Sequence, residues 1–99
     1  MALKIRGESE FVVSADRDVS EILAIARQVM EEFRAVDDAI LSAEVAPDGA
    51  DTFQISIVLR AASYAHAEDT MTRLSTSLTE ALVATATSAQ AGATELVPA

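Results

Sequence analysis

Few side chains in this sequence of 99 residues could perform chemistry, and the clearest group surrounds the single histidine. His66 and Asp69 are three residues apart and Thr70 follows, so a helix would place all three on one side. Such a group could supply two ligands to a metal ion, but the remaining ligands would have to come from elsewhere or from a second subunit. Because pairs of this kind are common on solvated helices, we predict no metal site and no cofactor.

Nucleophilic and acid–base catalysis have as little support. Hydroxyl groups are numerous, but no Gly-x-Ser-x-Gly elbow occurs and nothing in the sequence places a hydroxyl beside His66. The glutamate pairs Glu8/Glu10 and Glu31/Glu32 could in principle act as an acid and a base. We interpret these pairs as solvated surface charges, and we therefore predict no catalytic residue.

The charge balance disfavours several classes of partner. Sixteen acids against seven bases give a formal net charge of −9. A protein that binds nucleic acid usually carries a basic stripe, which replaces the counterions of the phosphates, and no such stripe is present here. Anionic membrane surfaces would repel the chain in the same way. We therefore predict neither a nucleic acid nor a membrane as its partner.

Composition narrows the chemistry further. The sequence contains no cysteine, which excludes disulfides, thiolate nucleophiles and cysteine-ligated metals. The three glycines, at positions 7, 49 and 92, form no phosphate-binding loop, and Asp16 and Asp18 oppose an anion at the first strand–helix junction. The sequence opens on alternating residues rather than a leader, and no run approaches the ~18 apolar residues of a spanning helix. We expect a cytoplasmic protein.

Two periodicities predict the elements that position these side chains. Apolar and polar residues alternate over 3–14, 40–45 and 52–62, which is typical of strands with one buried face. Apolar residues at steps of three and four predict one helix from about 19 to Asp37 and another from the N-cap Ser63 to about Thr87. Gly7, inside the first strand, indicates a β-bulge or a close approach, unless the strand there is simply regular.

The turn Pro47-Asp48-Gly49 joins the second and third strands into a hairpin. Counting outwards from this turn predicts three inner pairs: Val45 with Phe53, Ala43 with Ile55, and Leu41 with Ile57. The same register places Ile40 opposite Val58 on the other side of the sheet, with Asp38 near Arg60.

The element order predicts one α+β domain over residues 1–99. We expect a two-layer sandwich with a ferredoxin-like βαββα(β) arrangement, an antiparallel sheet of order 4-1-3-2, and both helices on one face. Residues 88–99 are predicted as a flexible loop over 88–92 followed by a short edge strand over 94–97. The alternative is a three-stranded sheet whose tail does not pair. The second helix, about 36 Å long, would exceed the sheet, so its last turns would project, fray or contact a partner.

The sheet face away from the helices is predicted to carry both charges around a small apolar patch of Val12, Ile40 and Val58. Its predicted members are Lys4, Arg6, Glu8, Glu10, Val12, Ile40, Ser42, Glu44, Gln54, Ser56, Val58 and Arg60. Such a face must be solvated, covered by another subunit or used for a ligand. A two-fold axis would bring Arg60 of one chain toward acids of the other, so we expect a homodimer through this face.

Two functional hypotheses follow, and a third remains open. The first is a small, acidic, non-enzymatic domain that acts through self-association or contact with a protein partner. The second is a regulatory module that binds a small ligand between subunits or between helices and sheet. Across these two, the candidate interface or ligand contacts are Arg6, Gln54, Val58 and Arg60. The third, an enzyme that uses Tyr64, His66 or the paired glutamates, lacks a positioned base.

Overall fold

The computed structural model describes residues 2–14, 18–49, 51–84 and 88–99, and six elements follow one another in the order β-α-β-β-α-β. The elements are β1 (Leu3–Ser14), α1 (Val19–Val36), β2 (Ile40–Pro47), β3 (Thr52–Ala61), α2 (Tyr64–Ala84) and β4 (Ser88–Pro98). The four strands form one sheet of order β2-β3-β1-β4, and all neighbours in it are antiparallel. The predicted two-layer α+β fold and its strand order are confirmed.

The helix-covered face of the sheet forms the core. Residues at odd positions of β1 from Ile5 onward and of β3 are buried there, while their even-numbered neighbours are exposed or half-buried. The rings of Phe11 and Phe53 stack with their centroids 5.2 Å apart. Each large apolar side chain buried in this way contributes roughly 1.5–3 kcal/mol. Both helices pack over this face, α1 against β2 and α2 against β4.

Helix α1 begins at an acidic cap. The backbone N–H of Ser20 donates to Oδ1 of Asp18 over 3.0 Å, which satisfies one of the free N–H groups of the first turn. The hydrogen bonds from Ser20 lower the pKa of Asp18 below its usual value of 3.8. Buried Ile22, Ala26 and Met30 form the stripe that faces the core. The helix ends at Val36, next to the predicted Asp37.

The predicted register between β2 and β3 is wrong by two residues. Val45 pairs with Ile55 rather than Phe53, because β2 extends further toward the turn and Pro47 itself lies opposite Phe53. The hairpin closes with the N–H of Asp48 donating to the carbonyl of Thr52 over 3.0 Å. The turn is therefore tighter than the sequence suggested.

A bulge at the start of β2 changes the position of Ile40. The ladder skips Leu41 between the pairs Ile40–Leu59 and Ser42–Val58. The extra residue turns Ile40 toward the helices, where it is 5% exposed. The prediction that Ile40 lies opposite Val58 is therefore wrong. The residue opposite Arg60 is Ala39, whose carbonyl accepts from the Arg60 N–H.

Helix α2 begins as predicted, with the Oγ of Ser63 accepting from the N–H of His66 over 3.2 Å. Its described part runs to Ala84, and the predicted end at Thr87 lies outside the described residues. Leu78 and Leu82 are fully buried, so the last described turn packs on the core instead of projecting from it. Across the described part of the chain, no helix is both long and apolar enough to span a membrane.

Residues 88–98 form one strand, so the loop predicted over 88–92 is wrong. The cause lies in β1, whose 12 residues offer backbone partners as far as Ser14, which pairs with Ser88. Pairing satisfies backbone groups that a loop over the sheet edge would leave to water. The ladder is interrupted once, between Ser9 and Phe11. This bulge lies at Gly92, where an added Cβ would be 3.2 Å from the carbonyl oxygen of Glu10.

Gly7 marks a close approach rather than a bulge. The β1–β3 ladder runs through it without a shift, pairing Gly7 with Ile57. A Cβ added at Gly7 would lie 2.7 Å from the sulfur of Met71 on α2, and Met71 is fully buried. Because Gly7 has no side chain, α2 can pack directly against the centre of the sheet.

Candidate protein-interaction surface

The open face is the side of the sheet opposite the helices, and the strand registers define its members. Even-numbered residues of β1 and β3, and of β2 beyond its bulge, share this side, together with the β4 residues that pair with them. Its members are Lys4, Arg6, Glu8, Glu10, Val12, Ser14, Ser42, Glu44, Ala46, Thr52, Gln54, Ser56, Val58, Arg60, Ser88, Gln90, Glu95 and Val97. Eleven of the twelve predicted members lie on this face, and the twelfth, Ile40, does not. The residues on this face that were not predicted are Ser14, Ala46, Thr52, Ser88, Gln90, Glu95 and Val97.

The pairing arranges the open face in rows that cross the strands. One row runs across β2, β3, β1 and β4 through Ser42, Val58, Arg6 and Val97. The next row runs in the same order through Glu44, Ser56, Glu8 and Glu95. Neighbouring residues in such a row have Cβ atoms about 4.5–5.5 Å apart.

The charges of the open face are separated along the strands. Lys4 pairs with Arg60 one row beyond Arg6, and these three residues are called the basic end. Glu10 pairs with Gln54 one row beyond Glu8. The four carboxylates, Glu8, Glu10, Glu44 and Glu95, are called the acidic band. Like charges therefore lie side by side within rows, and opposite charges lie in successive rows.

None of these seven charged groups has an ion pair within 4 Å in the described part of the chain. The surface ion pairs found there lie on the helices, between Arg34 and Glu31 at 3.9 Å and between Arg73 and Asp69 at 3.4 Å. Among the described residues, the open face thus carries charges of both signs that form no ion pair.

The structure brings three of the four predicted site residues together. Arg6, Gln54 and Val58 line a shallow concavity of about 290 Å³ on the open face. Their partners in the lining are Glu8, Ser42, Glu44, Ala46 and Ser56. Arg60 lies on the same face, in the basic end, but does not line this concavity. The role of these four residues remains a prediction.

The predicted apolar patch is corrected. Ile40 lies in the core, and Val12, which is 44% exposed, pairs with Thr52 and Gln90 at the far end of β1. Val58 instead shares its row with Arg6 and Val97. The sequence predicts a short strand over 94–97, but only the β1–β4 register places Glu95 and Val97 on this face.

The histidine group does not assemble into a site. Asp69 is engaged by Arg73, and the hydroxyl of Thr70, which is 1% exposed, donates to the carbonyl of His66. The ring of His66 forms no hydrogen bond to a hydroxyl or carboxylate among the described residues. Within those residues, no group of three or more histidines and acids could hold a metal ion. Asp16, at the first strand–helix junction, lies outside them.

The glutamate pairs are separated in space. Glu31 lies beside Arg34, and Glu32 accepts a hydrogen bond from Nε2 of Gln28 over 3.2 Å. These contacts lie on the exposed side of α1, whereas Glu8 and Glu10 lie on the open face across the sheet.

The fold and this surface define a class: a two-layer α+β protein with a helix-covered core and an exposed, charge-patterned sheet. No protein-family model matches the chain, and no curated protein matches it. Solved structures match it over most of its length, at identities that show the fold alone.

Three of these structures show how different the proteins with this fold are. A C-terminal segment of the aIF2 alpha subunit from Pyrococcus abyssi matches with a TM-score of 0.72 and 15% identity, over 90% of this chain and 49% of that one. The chain therefore spans about half of that segment. A dimeric protein of unknown function with a ferredoxin-like fold from Bacteroides fragilis matches with a TM-score of 0.60 and 16% identity, over 97% and 96%.

The third is SnoaB, a cofactor-independent oxygenase from Streptomyces nogalater, with a TM-score of 0.59 and 12% identity, over 97% of this chain and 92% of that one. An aIF2 alpha-subunit segment, a dimer of unknown function and an oxygenase thus share this architecture. The ferredoxin-like fold predicted from the sequence is confirmed, and the fold by itself selects none of these functions.

Proposed function

We propose that the protein is a non-enzymatic, cytoplasmic domain that self-associates as a homodimer through the open face. The observation that carries this proposal is the set of unmatched charges: the basic end and the acidic band lie on one surface of one chain. A surface that contains both halves of a complementary pattern can bind a copy of itself about a two-fold axis.

The size of the open face supports this proposal. Four strands spaced about 4.8 Å apart and about 33 Å long present roughly 600 Å² per copy. Two copies would bury roughly 1,200 Å² in total, which is at the lower end of the range for specific interfaces. Half-buried Val58 and Val97 supply apolar area next to Arg6, a residue type that is enriched in interfaces.

The composition of the face also argues against a stack of many copies. The open face carries three cations and four carboxylates, a local balance near zero, whereas the whole chain carries −9. Surfaces other than the open face are therefore strongly acidic and repel one another.

The dimeric ferredoxin-like neighbour from Bacteroides fragilis gives a precedent for dimers of this fold. The alternative to this proposal is a heterologous protein partner at the same face, which would require no homodimer.

The test is the molar mass across a wide concentration range, measured by sedimentation equilibrium. We expect a monomer–dimer equilibrium that Val58→Glu weakens by at least about tenfold, because a carboxylate would replace central apolar area beside the acidic band. Ala35→Glu, on the exposed side of α1, makes the same charge change away from the face and should leave the equilibrium unaltered. If Val58→Glu does not fold, Ser42→Glu on the exposed β2 tests the same surface. A strictly monomeric wild-type protein would refute the proposal.

The concavity on the open face favours one second candidate, a regulatory module that binds a small polar ligand. Arg6 and Gln54 would supply the polar contacts, and Val58 the apolar floor. A metabolite at ~100 times its Kd should stabilise the fold by ~2.7 kcal/mol in a thermal-shift screen. That gain should vanish in Arg6→Ala and persist in Arg34→Ala, which removes a cation from α1. A screen without a stabilising compound would count against this candidate.

A further inference from the structure

The rows of the open face restrict how two copies can meet, and this inference rests on the homodimer proposed above. Two sheets packed face to face in the aligned manner keep their strand directions within about 30° of each other. A two-fold axis in the interface then runs either along the strands or across them. The two choices bring different residues together.

An axis along the strands preserves position along each strand and exchanges the two edges of the sheet, so that β2 lies over β4 of the second copy and β3 over its β1. Each row then faces its own copy. Glu44 would lie over Glu95 of the partner subunit, and Arg60 over Lys4 of the partner subunit. Both contacts join like charges in a partly desolvated interface, where repulsion strongly disfavours association. This arrangement is disfavoured.

An axis across the strands reverses position along each strand and places β1 over β1 of the partner subunit. If this axis were centred on Glu8, the row of Glu8 would lie over the same row of the partner subunit. Centred on Gly7, one position away, it puts the row of Arg6 over the row of Glu8. Gly7 points toward the helices and Met71, so it adds nothing to the open face at that centre.

We infer that two copies pair about an axis across the strands at the level of Gly7, with Arg6 against Glu8 of the partner subunit. The next row outward then sets Lys4 against Glu10 of the partner subunit. Each contact occurs twice by symmetry, so four opposite-charge contacts form along the two β1 strands.

The same axis gives partners to residues on the other strands. Arg60 faces Gln54 of the partner subunit, whose amide oxygen can accept from the guanidinium. Ser42 faces Glu44 of the partner subunit, where the hydroxyl can donate to the carboxylate. Val58 lies next to the axis, beside Ser56 of the partner subunit. The four predicted site residues, Arg6, Gln54, Val58 and Arg60, thus fall into one symmetric arrangement.

A charge exchange between two separate chains tests this register. Arg6→Glu and Glu8→Arg should each weaken the homodimer by at least about tenfold, because each creates two like-charge contacts across the axis. An equimolar mixture of the two variants should form a heterodimer within about threefold of the wild-type affinity, since both contacts then join opposite charges. The double variant R6E/E8R should recover the homodimer. Native mass spectrometry identifies the species, and sedimentation gives the affinities.

Control variants separate this effect from net charge. Arg34→Glu and Glu31→Arg on α1 change the charge by the same amounts and should not alter dimerisation. If Arg6→Glu or Glu8→Arg does not fold, Lys4→Glu and Glu10→Lys form the equivalent exchange one row outward. A wild-type dimer whose variants fail to form the heterodimer would overturn the register and leave the proposed function standing. A monomeric wild-type protein would overturn both.

Discussion

On the helix-covered face, β1 and β3 bury large apolar side chains such as Ile5, Phe11 and Phe53, whereas on the open face the same two strands expose Arg6, Glu10 and their neighbours. The first set is explained by the core: two helices lie over it, and each side chain there is required to fill the space beneath them. The second set is not explained by the fold, because solvated strand positions accept many polar residues.

The difference shows where information about function can lie in this protein. A solvated face needs charge for solubility, but it does not need three cations at one end and four carboxylates in adjacent rows. Side-by-side like charges within a row disfavour the folded monomer slightly. Their arrangement is therefore a property of the open face that the core does not demand, and the proposed dimer gives it a use.

The largest expected effect on stability comes from a substitution on the buried side of β3. Phe53→Ala removes a fully buried ring stacked on Phe11, and we expect a loss of about 3–5 kcal/mol in the free energy of unfolding. Gln54→Ala, the next residue on the opposite face, should stay within about 0.5 kcal/mol. Urea denaturation at one fixed protein concentration measures both. Equal losses would mean that the two faces do not differ as described.

Gly7→Ala tests the contact between the sheet and α2. The new methyl group would meet the buried side chain of Met71 at 2.7 Å, and the overpacking should cost about 1–3 kcal/mol. Met71→Ala empties that space, so the double variant should lose clearly less than the two single losses added together. Strict additivity in urea denaturation would argue that Gly7 is not required by this contact.

Asp18→Asn should have a smaller effect that depends on pH. The lowered pKa of Asp18 means that its ionised form stabilises the fold above the usual value of 3.8, and that this contribution is lost as pH falls through the lowered pKa. Asparagine caps a helix nearly as well but does not titrate. The melting temperature of the wild-type protein should thus fall more steeply than that of Asp18→Asn between about pH 5 and about pH 2. Parallel curves would exclude this contribution.

The smallest effect is expected at Ser75 on α2. Its Oγ is buried and has no hydrogen-bond partner among the residues that the structure describes, so Ser75→Ala should be neutral or stabilising by up to about 1 kcal/mol. Ser77→Ala on the exposed side of the helix gains only the better helix propensity. Thermal denaturation should place Ser75→Ala at or above Ser77→Ala. A clear destabilisation would indicate that the hydroxyl has a partner after all.

Much of the fold could be predicted because alternation and helical spacing report burial directly. The bounds of β1 follow from alternation alone, and Ser63 was predicted as a cap from its residue type. The β2–β3 register could not be counted correctly, because the sequence does not state how many residues the turn consumes. Nor could alternation decide between Ile40 and Leu41, since both are large aliphatic residues and only the bulge assigns one to the core.

The candidate site was predictable in part for the same reasons. The parity of β1 places Lys4, Arg6, Glu8 and Glu10 on one side without any tertiary information. The rows, in contrast, depend on registers between strands that are distant in the sequence. Glu95 belongs to the acidic band only through the β1–β4 register, which pairs it with Glu8.

The two bulges bear on how the protein avoids uncontrolled assembly. β2 and β4 are the outer strands, and their free N–H and C=O groups could template further strands from other molecules. A bulge interrupts each of these strands, at Leu41 and at Gly92, and each strand ends on a proline that cannot donate to a neighbour. Edge-to-edge growth toward cross-β fibrils is thereby discouraged.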